Sequence, residues 1–140
     1  LQALAHGVIS RRFIRHYQGF FHGRCREHRR AAQPTAKNLL YAYRVALTGI
    51  HLLQTGALET DVTVLGPEYG FPRTVELAQF KRAAHEKAAV PAALDAAAQG
   101  DWPALEARLQ AARGRSPLPE EPPGEAACHA WLVRTRRAAL

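Results

Sequence analysis

The sequence contains no methionine, two cysteines and no long uninterrupted apolar run. Two cysteines cannot build a disulfide framework; one bridge between Cys25 and Cys128 is open, but reduced thiols in a cytoplasmic protein are favoured. The apolar runs are too short to cross a bilayer, and residues 1–10 lack the charged start and apolar core of a secretory signal. Because the chain begins at Leu1 without a methionine, we expect it to be part of a longer protein.

Acidic residues are also scarce, with 12 Asp and Glu against 19 Lys and Arg, so the 140 residues carry a net charge of +7. Residues 1–30 hold seven arginines and one glutamate, so nearly all of the excess charge lies in this segment. Such a segment suits an anionic partner such as nucleic acid, or it is a solvated helix face. The arginines assigned to an anionic-partner surface are Arg11, Arg12, Arg15, Arg26, Arg29 and Arg30.

No segment alternates apolar and polar residues as a half-buried strand does, so we predict an all-α bundle of about five or six helices. Ser10, Thr35, Thr74 and Asp101 are the predicted N-caps of helices that follow them. Gly19 and Gly23 weaken the first helix, or they let another helix approach closely. The predicted helices cover about residues 10–30, 35–54, 74–87, 90–98, 101–113 and 125–139, with a short helix or turn at 61–65 and Gly100 just past the fourth helix.

The stretch 114–124, GRSPLPEEPPG, is rich in proline and polar residues. Such a composition is typical of a linker with no means of burying a core. We therefore predict a helical domain over residues 1–113, a Pro-rich linker over 114–124 and a C-terminal helix over 125–140.

A single polar line runs along the otherwise apolar segment 37–55. Its members recur at helical spacing, and none of them is acidic. The line is either the one solvated face of a buried helix or the wall of a cleft that holds phosphate or carboxylate groups. Arginine and lysine suit such groups, and tyrosine, threonine and histidine add directional hydrogen bonds. The line consists of Lys37, Tyr41, Arg44, Thr48 and His51.

No catalytic or metal-binding motif is evident. His16, His22 and His28 do not share a helix face, and no carboxylate or cysteine lies beside them at zinc-ligand spacing. The segment 59–61, Glu-Thr-Asp, has the acid-x-acid form of two-metal sites, but we interpret it as a capping or turn segment. Cys25 is interpreted as a buried structural thiol. The sequence therefore predicts neither a catalytic residue nor a metal site.

The segment around the polar line resembles a group of bacterial predicted nucleotidyltransferases of the DNA polymerase beta superfamily. The similarity covers about residues 8–88 and is most specific over 37–56, whereas residues 89–140 resemble no family. It is carried by RHYQGF at 15–20, KNLLYAYR at 37–44, ALTGIHLL at 46–53, Thr55-Gly56, and Val75-Glu76-Leu77 with Lys81.

The resemblance implies that the matching segment is the helical C-terminal half of such an enzyme. In that family an N-terminal α/β half carries a Gly-Ser motif and paired acids that bind catalytic magnesium, and this chain has neither. We therefore expect the helical part of a larger enzyme, or a remnant, that is inactive alone, with magnesium and an NTP bound in the full-length parent. The implied substrate- and phosphate-binding residues are Lys37, Tyr41, Arg44, His51 and Lys81.

Two alternatives stay open. In the first, the chain is a non-catalytic basic module that binds nucleic acid or a partner protein, as the charged first helix suggests. In the second, the chain is a structural or oligomerising bundle. In the nucleotidyltransferase interpretation the nucleotide is transferred to an acceptor that the sequence does not identify.

Overall fold

A computed structural model describes residues 2–85 and 87–139, and these fold into eight helices with no strand beyond an isolated bridge between Thr35 and Ala89. The all-α prediction is confirmed. The count exceeds the predicted five or six, because a first helix was not expected and the short segment after residue 61 is a helix. The helices are α1 (Gln2–Gly7), α2 (Phe13–Arg30), α3 (Ala36–Thr55), α4 (Val62–Glu68), α5 (Arg73–Ala83), α6 (Ala92–Gly100), α7 (Trp102–Gly114) and α8 (Glu125–Ala138).

Helix α3 lies at the centre of the bundle and packs against α2, α4, α5 and α7. Its predicted ends are confirmed. The Thr35 side chain accepts a hydrogen bond from the Asn38 amide at 3.3 Å. Gly56 adopts the left-handed conformation at φ 73°, and its N–H donates to the Leu52 carbonyl at 2.8 Å. Left-handed geometry favours glycine, so the chain turns sharply at this residue.

Two predicted caps are wrong. Helix α2 begins at Phe13; the buried Ser10 hydroxyl accepts a long hydrogen bond, at 3.4 Å, from the Arg12 amide, and the Ser10 carbonyl accepts from the Phe13 amide at 3.2 Å. Thr74 lies inside α5, where its hydroxyl donates to the Phe71 carbonyl at 3.1 Å. Both hydroxyls are buried, so packing rather than capping determines their positions.

The predicted ends of α5 and α6 also shift. Helix α5 ends at Ala83 instead of continuing to about residue 87, and residue 86 lies outside the described residues. Helix α6 runs from Ala92 to Gly100, so Gly100 is its last residue rather than the residue past its end. Asp101 is the single residue between α6 and α7.

Asp101 occupies the N-cap position of α7, but its side chain makes no capping bond. Its Oδ2 instead accepts from the hydroxyl of the fully buried Tyr43 and from the Arg73 guanidinium, each at 2.5 Å. Burial, followed by the hydrogen bond to Asp101, raises the pKa of Tyr43. The phenol therefore stays a neutral donor. One carboxylate thus joins α3, α5 and the α6–α7 junction.

Glycine determines where α2 and α3 meet, although not at the predicted residues. A Cβ added to Gly49 would lie 2.7 Å from Cγ of Tyr17, so α2 approaches α3 there only because no side chain intervenes. A Cβ added to Gly19 or Gly23 would have no neighbour within 4 Å. The expectation that Gly19 and Gly23 allow a close helix contact is therefore wrong for the described residues, and the two glycines face open space.

A second buried polar pair fixes α2 against α6. The His28 side chain is buried, and its Nε2 lies 2.6 Å from Oδ1 of Asp95. The imidazole and the Trp102 ring are nearly perpendicular, with centroids 5.9 Å apart. His28 is therefore a core residue.

Helices α1 and α8 pack against each other, and the Gly124 N–H donates to the Gly7 carbonyl at 2.6 Å. None of the residues described in α8 is buried. The predicted C-terminal helix is confirmed, whereas the division of the chain into domain, linker and helix stays a prediction.

Replacing Asp101 by alanine should lower the free energy of unfolding by about 2–3 kcal/mol, because Tyr43 and Arg73 lose a charged acceptor. Tyr43→Phe keeps the Arg73–Asp101 pair and should cost about 1 kcal/mol. Urea denaturation followed by circular dichroism measures both values. A Tyr43→Phe loss equal to or larger than the Asp101→Ala loss would show that the carboxylate is not the centre of this network.

Candidate functional site

The polar line of α3 divides into an open half and a covered half. Lys37, Tyr41 and Arg44 are exposed, whereas Thr48 is buried with 5% exposure. His51 is half-buried, and its Nδ1 lies 2.9 Å from the Tyr69 hydroxyl on the α4 side. The structure therefore brings three of the five residues to the surface together and places His51 in the contact between α3 and the C-terminal end of α4.

Tyr41 is the centre of the open half. Its ring is 40% exposed and has two guanidinium groups beside it, Arg24 from α2 at 5.9 Å and Arg44 from α3 at 5.7 Å. Such distances permit cation–π attraction, which holds a positive group near an aromatic face. The two guanidinium groups over this ring place two positive charges beside it, where an anion can bind.

Tyr41 borders a groove of about 510 Å³ between α2 and α3. The groove has Phe20 on its α2 side, and this ring is 50% exposed. The His16 ring packs on Phe20 with centroids 4.5 Å apart. The volume lies within the range of small-ligand sites, about 300–1,000 Å³. The groove is lined by Phe20, Arg24, Glu27, Lys37, Asn38, Tyr41 and Val45.

Lys81 does not line this groove. It is exposed in the last turn of α5, beside Arg82. Arg44 also lies outside the groove lining, although its guanidinium reaches the Tyr41 ring. The role assigned to Lys81 by resemblance stays a prediction.

The arginines of the predicted anionic-partner surface separate into two groups. Arg11 binds the Pro-rich segment: its Nε donates to the Leu118 carbonyl at 2.8 Å, its NH2 to the Ser116 carbonyl at 2.7 Å, and its backbone N–H to the Pro119 carbonyl at 2.9 Å. Ser116 is buried, and Leu118 packs against the core. The segment 116–119 is therefore fastened to the start of α2.

Two further arginines also make contacts within the chain. Arg12 forms an ion pair with Glu121. Arg29 lies over the Trp102 ring, with its guanidinium carbon 4.8 Å from the ring centroid. Because these two guanidinium groups already make contacts within the chain, they are less available to bind a partner.

Arg15, Arg26 and Arg30 are exposed and lie beside grooves that continue along α2. One groove is bordered by Arg15, Phe20 and Arg24, and the next by Arg26, Arg30 and Asn38. Together with the groove at Tyr41 they form one surface, which we call the α2–α3 face. It comprises residues 15, 16, 19, 20, 23, 24, 26, 27, 30, 31, 37, 38, 41 and 45.

All three aspartates have structural roles. Asp95 pairs with His28, and Asp101 with Tyr43 and Arg73. Asp61 caps α4, accepting from the Thr63 hydroxyl at 2.6 Å and its amide at 2.9 Å, and these bonds lower the pKa of Asp61. The interpretation of residues 59–61 as a capping segment is confirmed.

Among the described residues, no group of three or more His, Cys, Asp and Glu side chains is placed to hold a metal ion. The described side chains therefore do not fit the magnesium that the resemblance implies for the parent enzyme, and no metal-dependent step is assigned to them. Burial raises the pKa of Cys25 to about 11, which leaves this thiol protonated and unreactive at neutral pH.

A family model for the RNA repair pathway DNA polymerase beta family matches residues 1–134. The chain belongs to this family. The match extends well past residue 88, where the resemblance drawn from the sequence ended, and it includes most of α8. No curated protein and no solved structure shows a significant match to the chain.

Membership of the family agrees with the resemblance to the polymerase beta superfamily, while assignment to the C-terminal half of a bacterial enzyme stays a prediction. In the described part of the chain, no helix combines the length and apolar character that a membrane span requires.

Sequence reasoning missed Phe20 and Arg24 as site residues. Phe20 and Phe21 both fit the apolar stripe of α2, but Phe21 is 2% exposed and Phe20 is 50% exposed. Arg24 is one of the seven arginines of residues 1–30, and its position beside Tyr41 depends on how α2 packs on α3. The sequence contains one signal for this site, which is the pair Phe20 and Phe21 between two glycines at residues 19 and 23.

Replacing Arg11 by alanine should release the Pro-rich segment, because four hydrogen bonds to it originate from this residue and the three from its side chain are lost. Trypsin should then cleave after Arg115 about tenfold faster, since cleavage follows local opening. Mass spectrometry of timed digests measures the rate. Arg12→Ala, which removes an exposed ion pair, is the control and should change the rate little; equal rates in both variants would contradict the role of Arg11.

Proposed function

We propose that this chain supplies the helical, substrate-side part of a polymerase beta-type nucleotidyltransferase that transfers a nucleoside monophosphate from an NTP to an acceptor. The observation that carries the proposal is the acid-free, exposed half of the α3 line, Lys37, Tyr41 and Arg44, in a chain of the RNA repair pathway DNA polymerase beta family. The paired acids of the superfamily are absent from this sequence, so they are supplied from elsewhere.

The chemistry of these side chains fits a triphosphate. Arg44 is exposed, and its planar guanidinium can donate two parallel hydrogen bonds to one phosphate. Lys37 provides a compact charge on a flexible stem. The Tyr41 hydroxyl can donate a hydrogen bond to the nucleotide, while Arg24 and Arg44, whose guanidinium groups lie over the Tyr41 ring, face the phosphates. In such a site the side chains act by positioning the substrate and by neutralising the negative charge that develops in the transition state.

Arg44→Ala should reduce nucleotide transfer by about 10- to 100-fold, because one phosphate contact that strengthens in the transition state is lost. The assay uses the complete gene product with magnesium and each radiolabelled NTP in turn. Arg82→Ala, which removes an exposed arginine on α5, is the matched control and should leave the rate unchanged. An unchanged rate in Arg44→Ala, or no labelled product with any NTP, would contradict the proposal.

A further inference from the structure

We propose that the α2–α3 face binds a single-stranded nucleic acid, with the Phe20 and Tyr41 rings as stacking platforms and the α2 arginines on its phosphates. The inference rests on the proposed function, for which it names the class of the acceptor. It also assigns Phe20 and Arg24, which neither the family match nor the sequence patterns assign.

The first observation is the exposure of two aromatic rings on one groove. Phe20 is 50% and Tyr41 40% exposed, and both rings border the same space. Large exposed rings are uncommon in a chain that buries Phe21, Tyr43 and Phe71. Every nucleobase has a flat π-face, so two exposed rings on one groove can bind a strand without reading its sequence.

The second observation is the charge around these rings. The α2–α3 face has five cationic side chains, from Arg15, Arg24, Arg26, Arg30 and Lys37, and one carboxylate, from Glu27. The carboxylate is engaged by Arg24 at 2.8 Å, so its charge is largely compensated. The face as a whole carries a net charge of +4. Exposed arginine next to exposed aromatic rings is typical of surfaces that hold a phosphate backbone and its bases together.

The third observation is the shape of the face. Gly19 and Gly23 have no atoms of the described chain within 4 Å of an added Cβ, so the surface beside Phe20 is open to a ligand. From Arg15 to Arg30 the helix rises by about 22 Å, at about 1.5 Å per residue. This length matches about six stacked nucleotides at about 3.4 Å each. A duplex would hide its bases from the rings, and the face therefore favours a single strand.

The test is fluorescence anisotropy with the full chain and labelled oligouridine and oligodeoxyuridine of about eight nucleotides, at about 50 to 200 mM salt. Heparin and a duplex of the same length are the comparison ligands. We expect both single strands to bind more tightly than the duplex and heparin. A preference for RNA over DNA would assign contacts to the 2′-hydroxyl, and equal affinity would assign the site to stacking and phosphate contacts alone.

Phe20→Ala and Phe20→Leu should each weaken binding of the single strand by about tenfold, because both remove the π-face. Phe20→Trp should retain the affinity, which separates stacking from simple loss of apolar area. Val64→Ala, which changes another exposed apolar side chain, is the control and should have no effect. Since Phe20 is half exposed, circular dichroism should show that all these variants stay folded.

Arg15→Gln should reduce the slope of log affinity against log salt by about 0.7, the value for one phosphate contact on a single strand. Arg136→Gln on α8 is the matched charge control and should leave the slope unchanged. Equal binding of heparin and the single strands, or wild-type affinity in Phe20→Ala and Phe20→Leu, would overturn the proposal and identify a general polyanion surface.

Failure of this inference is distinguishable from failure of the proposed function. Strand binding is measured without NTP, and nucleotide transfer is measured by its sensitivity to Arg44→Ala. Transfer without strand binding to the α2–α3 face would overturn the acceptor assignment alone. Strand binding that depends on Phe20, in a gene product without transfer activity, would support the binding surface and contradict the enzyme.

Discussion

The fold depends on the burial of α3 and on the carboxylate that fixes its position. Tyr43 is fully buried at the middle of α3, and its hydroxyl requires an acceptor inside the bundle. Asp101 provides it and holds Arg73 through the same oxygen. This arrangement positions α5 and the α6–α7 junction against α3, and α2 then packs over Gly49. Five helices contact α3, and its exposed side chains are confined to the polar line and to its last turn.

The functional surface follows from this constraint. On the exposed side of α3, Lys37 and Tyr41 border the same groove as Phe20 and Arg24 of α2, and Arg44 reaches the Tyr41 ring. The aspartates serve capping and core pairs, so the surface keeps its positive charge. Arginines just before α2 are used differently, because Arg11 holds the Pro-rich segment by hydrogen bonds and Arg12 forms an exposed ion pair with Glu121. The basic N-terminal segment therefore combines structural contacts with a candidate binding surface.

The ends of α3 could be predicted from the sequence, because they are determined by interactions between neighbouring residues. Thr35 and Gly56 bound α3 as expected, since a cap and a left-handed turn involve only neighbouring residues. The long apolar segment and its polar line could also be recognised from spacing alone.

Parts that depend on distant partners could not be predicted. The sequence predicts Asp101 as an N-cap, but its carboxylate accepts hydrogen bonds from Tyr43 and Arg73, which are distant from it in the sequence. The choice between Phe20 and Phe21 for the core depends on how α2 rotates against α3. Spacing places two adjacent aromatic residues on one stripe, and only packing decides which of them is buried.

The most direct test of the central claim, that α2 and α3 together form the ligand surface, is a ¹⁵N–¹H NMR titration of the full chain with oligouridine. We expect the largest shift changes on residues 15–30 of α2 and 37–45 of α3, with α8 unaffected despite Arg134, Arg136 and Arg137. Changes that are largest in α8 or in the Pro-rich segment, or changes spread over all arginines, would contradict it.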